Sequence, residues 1–136
     1  MTYNELIHQI IGAAIEVHRL LGPGLLESAY EECLAHELTL RNKKYRRQVP
    51  VPVVYKGIKL ECGYRMDIVV EERVVLELQS IESIAPVHEA TVLTYLRLSD
   101  KRLGLLINFN GSILKDGVRR LVLQHPSEQK ELRRVR

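Results

Sequence analysis

Asp67 and Glu77 are the residues of this chain whose type and placement could do chemistry. The segments Tyr64-Arg-Met-Asp-Ile-Val-Val70 and Val74-Val-Leu-Glu-Leu-Gln79 each read as a β-strand, joined by Glu71-Glu72-Arg73. If that turn pairs Val70 with Val74, counting back sets Asp67 opposite Glu77, with Cβ atoms about 5 Å apart. Two carboxylates at that separation can hold one hard cation. An all-oxygen donor set favours magnesium, manganese or calcium over zinc. Gln79, two residues past Glu77, points to the same side of its strand. Charged residues alternating with Val, Ile and Leu also describe any half-exposed strand. Against that, the Glu77 strand is apolar on both sides, with Val75 on the Glu77 face and Val74, Leu76 and Leu78 opposite. A carboxylate in such a run is expected to be partly buried, and a buried charge needs a partner or a metal.

The elements that must position these residues can be read from periodicity and turn chemistry. Thr2-x-x-Glu5 predicts a capping box opening a first helix, with Leu6, Ile10, Ala13, Val17 and Leu20 as its buried stripe. Gly22-Pro23-Gly24 stops that helix and is expected to aim Glu27 at the sheet. A second helix is expected from about Leu25 to Leu40, with Leu26, Tyr30, Cys33 or Leu34, and Leu38 facing inward and Glu27 and Glu31 on one flank. Gln48–Tyr55 reads as a strand that Pro50 and Pro52 confine to a sheet edge. Lys56-Gly57 turns it into Ile58–Leu60, and the two acid-bearing strands come next. Pro86–Leu98 reads as a helix with Pro86 in its first turn and Val92, Leu93 and Leu96 as contacts. Leu103–Phe109 and Val118–Leu123 close the chain as strands. The order ααββββαββ describes an α/β protein, a mixed β-sheet flanked by helices, in which the helix after Gln79 lets the next strand run parallel to it.

A chain of 136 residues, 46% hydrophobic and 27% charged, fits one domain with a single sizeable core. We expect that domain over residues 1–123, with a basic tail over 124–136. No apolar run approaches the ~20 residues that span a bilayer, so no membrane partner is expected. Asn4 and Glu5 stand where a secretory leader would carry basic residues. Cys33 and Cys62 have neither the number nor the spacing of a disulfide framework or a zinc site, which suits reduced thiols in a cytoplasmic protein. The formal net charge of +3 is concentrated in Arg41–Arg47 and Lys130–Arg136. Either run could meet phosphates, although charge runs are more often simply solvated.

Gly24-Leu-Leu-Glu27-Ser-Ala-Tyr30 carries a Gly-x-x-Glu-x-x-Tyr pattern that resembles the signature of the GxxExxY protein family. Further matches run in order through Ile11–His18, Leu21–Gly24, Arg47–Pro50, Tyr55–Gly57, Gly63–Asp67, Pro86–His88, Thr94–Leu96 and Leu106–Phe109. The resemblance covers residues 3–123 and extends to the PD-(D/E)XK nuclease superfamily. It implies a restriction-endonuclease-like core, a magnesium or manganese ion and a nucleic-acid partner. Carried over by position, it implies Glu27, Asp67 and Glu77 as metal-binding acids, with the Leu78 carbonyl as a further oxygen. Two departures stand out. Gln79 occupies the place of the catalytic lysine, and Thr91-x-x-x-Tyr95 replaces Gln-x-x-x-Tyr on the next helix.

Gln79 can still orient water but adds no positive charge, and losing one such group typically costs ~10²–10³ in rate. Thr91 shares a face with Tyr95, one turn away, but is shorter than glutamine. Tyr95, Thr91 and His88 are the residues expected to touch nucleic acid. His88 could donate to a phosphate at its helix N-terminus, or it could cap that helix. His18 is expected to pack or hydrogen-bond near Gly22–Gly24. Three functions remain open: a metal-dependent phosphodiesterase, an inactive binding module of the same fold for nucleic acid or protein, and a scaffold, possible as a homodimer.

Overall fold

The structure, a computed structural model, describes residues 1–123; the expected basic tail and His125 lie outside the described residues. Helix α1 (Tyr3–Leu21) opens on the predicted capping box, in which Thr2 Oγ1 accepts from the Glu5 N–H and the Glu5 carboxylate accepts from the Thr2 N–H. Its stripe of Leu6, Ile10, Ala13 and Val17 is buried, but Leu20, beyond the last core contact, is exposed. Gly22 ends the helix at a φ of 70°, its N–H donating to the His18 carbonyl.

Helix α2 begins at Glu27 and runs to Leu40, two residues later than expected. Leu26 is therefore the residue before its first turn and is 77% exposed, not an inner contact. Tyr30, Leu34 and Leu38 form the buried face, and Cys33 is half-buried. Tyr30 is the anchor of this region. Its ring stacks on Phe109, with centroids 4.4 Å apart, while its hydroxyl donates to the Gly22 carbonyl at 2.5 Å and accepts from the Leu25 N–H at 3.2 Å. Ser80 Oγ donates to the Leu25 carbonyl from the far side. The Gly22–Leu26 loop is thus held against both α2 and the end of the site strand.

The expected strand over 48–55 divides in two. β1 (Tyr45–Pro50) joins the main sheet, and β2 (Val53–Tyr55) turns away to pair with β3 (Ile58–Leu60) as a separate hairpin. Pro52 lies between them and donates no ladder hydrogen bond, which accounts for the break. β4 (Arg65–Val70), β5 (Val74–Gln79), β6 (Leu103–Asn108) and β7 (Val118–Val122) complete a five-stranded sheet in the order β1-β4-β5-β6-β7. Pro50 is on an edge, as expected. The β4–β5 turn has Glu71 and Glu72 at φ 53° and 56°, with the Arg73 N–H donating to the Val70 carbonyl. The loop is three residues long, Glu71–Arg73, and it pairs Val70 with Val74, Val69 with Val75 and Ile68 with Leu76.

Helix α3 (Pro86–Ser99) crosses over so that β6 runs parallel to β5. Helices α1 and α2 pack on one face with Val74, Leu76 and Leu78, and on the other face α3 sets Val92, Tyr95 and Leu96 against Val69, Val75 and Leu106. Gly104 lets α3 approach closely, since a Cβ there would stand 2.8 Å from Val92. Among the described residues no helix is long and apolar enough to cross a membrane.

Tyr30→Phe removes both hydroxyl bonds to the loop while preserving the stack on Phe109. It is expected to lower stability by about 1–2 kcal/mol, read as a shift of the urea midpoint at unchanged slope.

Candidate functional site

The β4–β5 ladder stops at Ile68–Leu76, one step short of the two acids. At that step the carboxylates replace the ladder. Glu77 Oε1 accepts from the Asp67 N–H at 3.1 Å, and Asp67 Oδ2 accepts from the Leu78 N–H at 2.8 Å. Asp67 and Glu77 are therefore brought together across the strands, as counting from the turn predicts. The alternation of β5 turns Glu77 toward the side of Val75 and α3, and only 8% of it is exposed.

The electrostatics of the pair are unfavourable as they stand. Burial first, and then the neighbouring Asp67 charge, push the Glu77 pKa up to about 8. Burial raises Asp67 to about 6, partly countered by the Leu78 N–H. The other charges acting on both groups are also negative, those of Glu27 and Glu31. Two close carboxylates on which no cation acts among the described residues have the donor chemistry of a hard-cation site, so the residues present fit a magnesium or manganese ion.

Glu27 is placed differently. It is exposed at the first position of α2, close enough for its charge to act on both acids. Among the described residues no three His, Cys, Asp or Glu side chains stand together as a metal-binding group. The expected convergence of three acids is met for Asp67 and Glu77, while Glu27 stands off.

A different acid approaches from α2. Glu31 is buried, accepts from the Arg47 guanidinium at 2.8 Å and 3.0 Å, and accepts from Gln48 Nε2 at 2.6 Å. The same Gln48 nitrogen reaches Asp67 Oδ1 at 3.4 Å. Gln48 has a φ of 49°, uncommon for a residue with a side chain, and the β1–β4 pairing skips it between Arg47–Ile68 and Val49–Met66. Glu31 and Gln48 were not singled out by sequence. Glu31 sat on the predicted flank of its helix beside Glu27, but nothing in the spacing brings residues 31, 48 and 67 together.

Gln79 is half-buried on the Glu77 face, at the end of β5 beside Asn108. Asn108 was another silent residue. Buried, it accepts from the Ile81 and Asn110 N–H groups and donates to the Ile81 carbonyl, fixing the chain as it leaves the site. On α3, Tyr95 is buried, and its hydroxyl pKa is raised by that burial and then by the charges of Glu77 and Asp67. Thr91 spends its hydroxyl on the Val87 carbonyl one turn back. His88 Nδ1 accepts from the Ala85 N–H at 2.8 Å, which leaves Nε2 as the ring's remaining donor. His18 hydrogen-bonds at the Gly22–Gly24 turn through its backbone carbonyl, while its ring packs near Phe109 and its Nε2 meets the Gly111 carbonyl at 2.8 Å.

The arrangement is a mixed sheet whose central hairpin ends in two facing acids, with a third acid on the preceding helix and Gln79 in the position two beyond Glu77. No curated protein and no solved structure matches the chain. A family model described as the PD-(D/E)XK nuclease superfamily matches residues 4–121. With that match over nearly its whole length and with the sheet it implies, the chain belongs to the PD-(D/E)XK nuclease superfamily.

Proposed function

We propose that the chain is a divalent-cation-dependent phosphodiesterase acting on nucleic acid. The observation that carries this reading is the exchange of backbone hydrogen bonds between the Asp67 and Glu77 carboxylates, which gathers negative charge in a partly buried site. Asp67 and Glu77 would hold the magnesium or manganese ion, with Glu27 as a third acid within range of their charge. When bound, the ion polarises the scissile phosphate and lowers the pKa of the attacking water. Gln79 orients that water through its amide, and Tyr95 with His88 faces the nucleic acid. Gln48 holds the Asp67 carboxylate in register with Glu31.

A second reading, an inactive nucleic-acid-binding module, is favoured by one observation: the position two residues after Glu77 holds neutral Gln79. Gln79→Lys separates the two. Lysine there is expected to raise the cleavage rate of DNA or RNA in magnesium or manganese by ~10²–10³, and Glu77→Ala to abolish cleavage. If neither the wild-type protein nor Gln79→Lys cuts any substrate, yet binding persists and weakens steeply with salt, the module reading replaces the enzyme.

The stacked charge also sets a pH dependence. Both carboxyls titrate higher in the folded chain than the roughly 4 expected unfolded, so between those values the native state binds more protons. Stability of the metal-free protein therefore falls as pH rises from about 4.5 toward about 8, by an amount on the order of a few kcal/mol. Thermal melts in a chelator should show this decline, and Glu77→Gln should flatten it above pH 6. Manganese should raise the wild-type midpoint more at pH 8 than at pH 5.5.

A further inference from the structure

Beside the acid pair, the base of the β2–β3 hairpin and the flank of α3 enclose a groove of about 410 Å³, lined by Val53, Tyr64, Thr91, Tyr95, Arg97 and Leu98 among others. That volume is within the range of small-ligand sites. Tyr64 is 49% exposed. Its ring lies 6.1 Å from that of Tyr95 at a 58° tilt, so the two rings are not stacked face to face. Tyr95 belongs to both places: it lines the groove and packs with Val69 and Val75, each two residues from one of the acids on the α3 face of the sheet.

We propose that this groove takes one unpaired nucleobase of the strand whose phosphate lies at Asp67 and Glu77, which makes the chain selective for single-stranded or locally unpaired nucleic acid. The proposal rests on the nucleic-acid reading of the acid pair and deepens it by naming the form of the substrate. Three features select a base over other occupants. The walls are mostly apolar and aromatic, which suits a planar ring and not a phosphate. Arg97 is the basic group in the lining, while the acids behind Tyr95 repel a second anion. The cations for a phosphate backbone stand outside, on the hairpin, where Lys56 lies 5.4 Å over the Tyr55 ring and Lys59 is exposed. Among the described residues neither lysine, nor Arg97, is paired with a carboxylate. In a duplex the base faces are already buried in the stack, and reaching such a groove requires unstacking. An unpaired strand meets no such barrier, and stacking on an aromatic side chain is tolerant of sequence.

The test titrates labelled oligothymidylate, oligouridylate and a blunt DNA duplex of equal length with the full chain, in calcium to prevent cleavage. Single strands are expected to bind at least about tenfold more tightly than the duplex. Tyr64→Ala should weaken single-strand binding ~5–100-fold with little effect on duplex, and Tyr64→Phe should stay within about twofold of wild type. A melt of each variant checks folding, which an exposed position is expected to tolerate. Equal affinity for duplex, or no loss in Tyr64→Ala, overturns the proposal. Calorimetric titration with calcium alone isolates the other reading: cation binding that Glu77→Gln removes, without any strand preference, sinks the groove and spares the acid pair. Strand preference with no cation binding overturns the placement of the phosphate at Asp67 and Glu77.

Discussion

The open end of this sheet depends on two carboxylates taking N–H groups that a β-ladder would otherwise use. Asp67 and Glu77 each reach across to the opposite strand, so β4 and β5 stay together there through side chains and not through backbone carbonyls. A cross-strand pair of like charges is ordinarily destabilising. Here each charge is partly compensated by a backbone dipole, and the remainder shows as raised proton affinity. The exchange also spares the chain two orphaned donors at the point where pairing ends.

Most of the fold was legible because its signals are local. The capping box, the glycine stop, Pro50 on a sheet edge and the crossover helix each act over a few residues, and each appears where the sequence placed it. The tight turn did the most: fixing Val70 against Val74 also fixes the register of the acids three residues on. The misses were long-range. Leu26 fits the helical stripe, yet it lies before the first turn, because the tethered loop delays the helix until Glu27. The division at Pro52 could have been read from the missing N–H, but the departure of β2 into its own hairpin could not. Glu31, Gln48 and Asn108 gain their importance from contacts 16 to 27 positions away in sequence, which no period encodes.

Gln79 and Glu31 give the site a different balance from one with lysine after the second acid. Among the described residues the charges that act on the acid pair are those of acids, and the Arg47 guanidinium is committed to Glu31 and Glu32. Burial of Glu31 with Arg47 obeys the rule that a buried charge is retained only when paired. Among the described residues Glu77 has no such partner, and a divalent ion would supply that countercharge.

The anchoring of Gly22–Leu26 by Tyr30 and Ser80 determines how Glu27 can reach its neighbours. With the backbone moored on two sides, helix α2 has little room to slide, so any approach must come from rotation about the side-chain bonds of Glu27 alone. Such rotamer hops take picoseconds to nanoseconds when a side chain is exposed, and freezing one costs at most about 2 kcal/mol. The tyrosine at the end of the Gly-x-x-Glu-x-x-Tyr pattern therefore serves as a mooring, leaving the glutamate as a swinging arm on a fixed post.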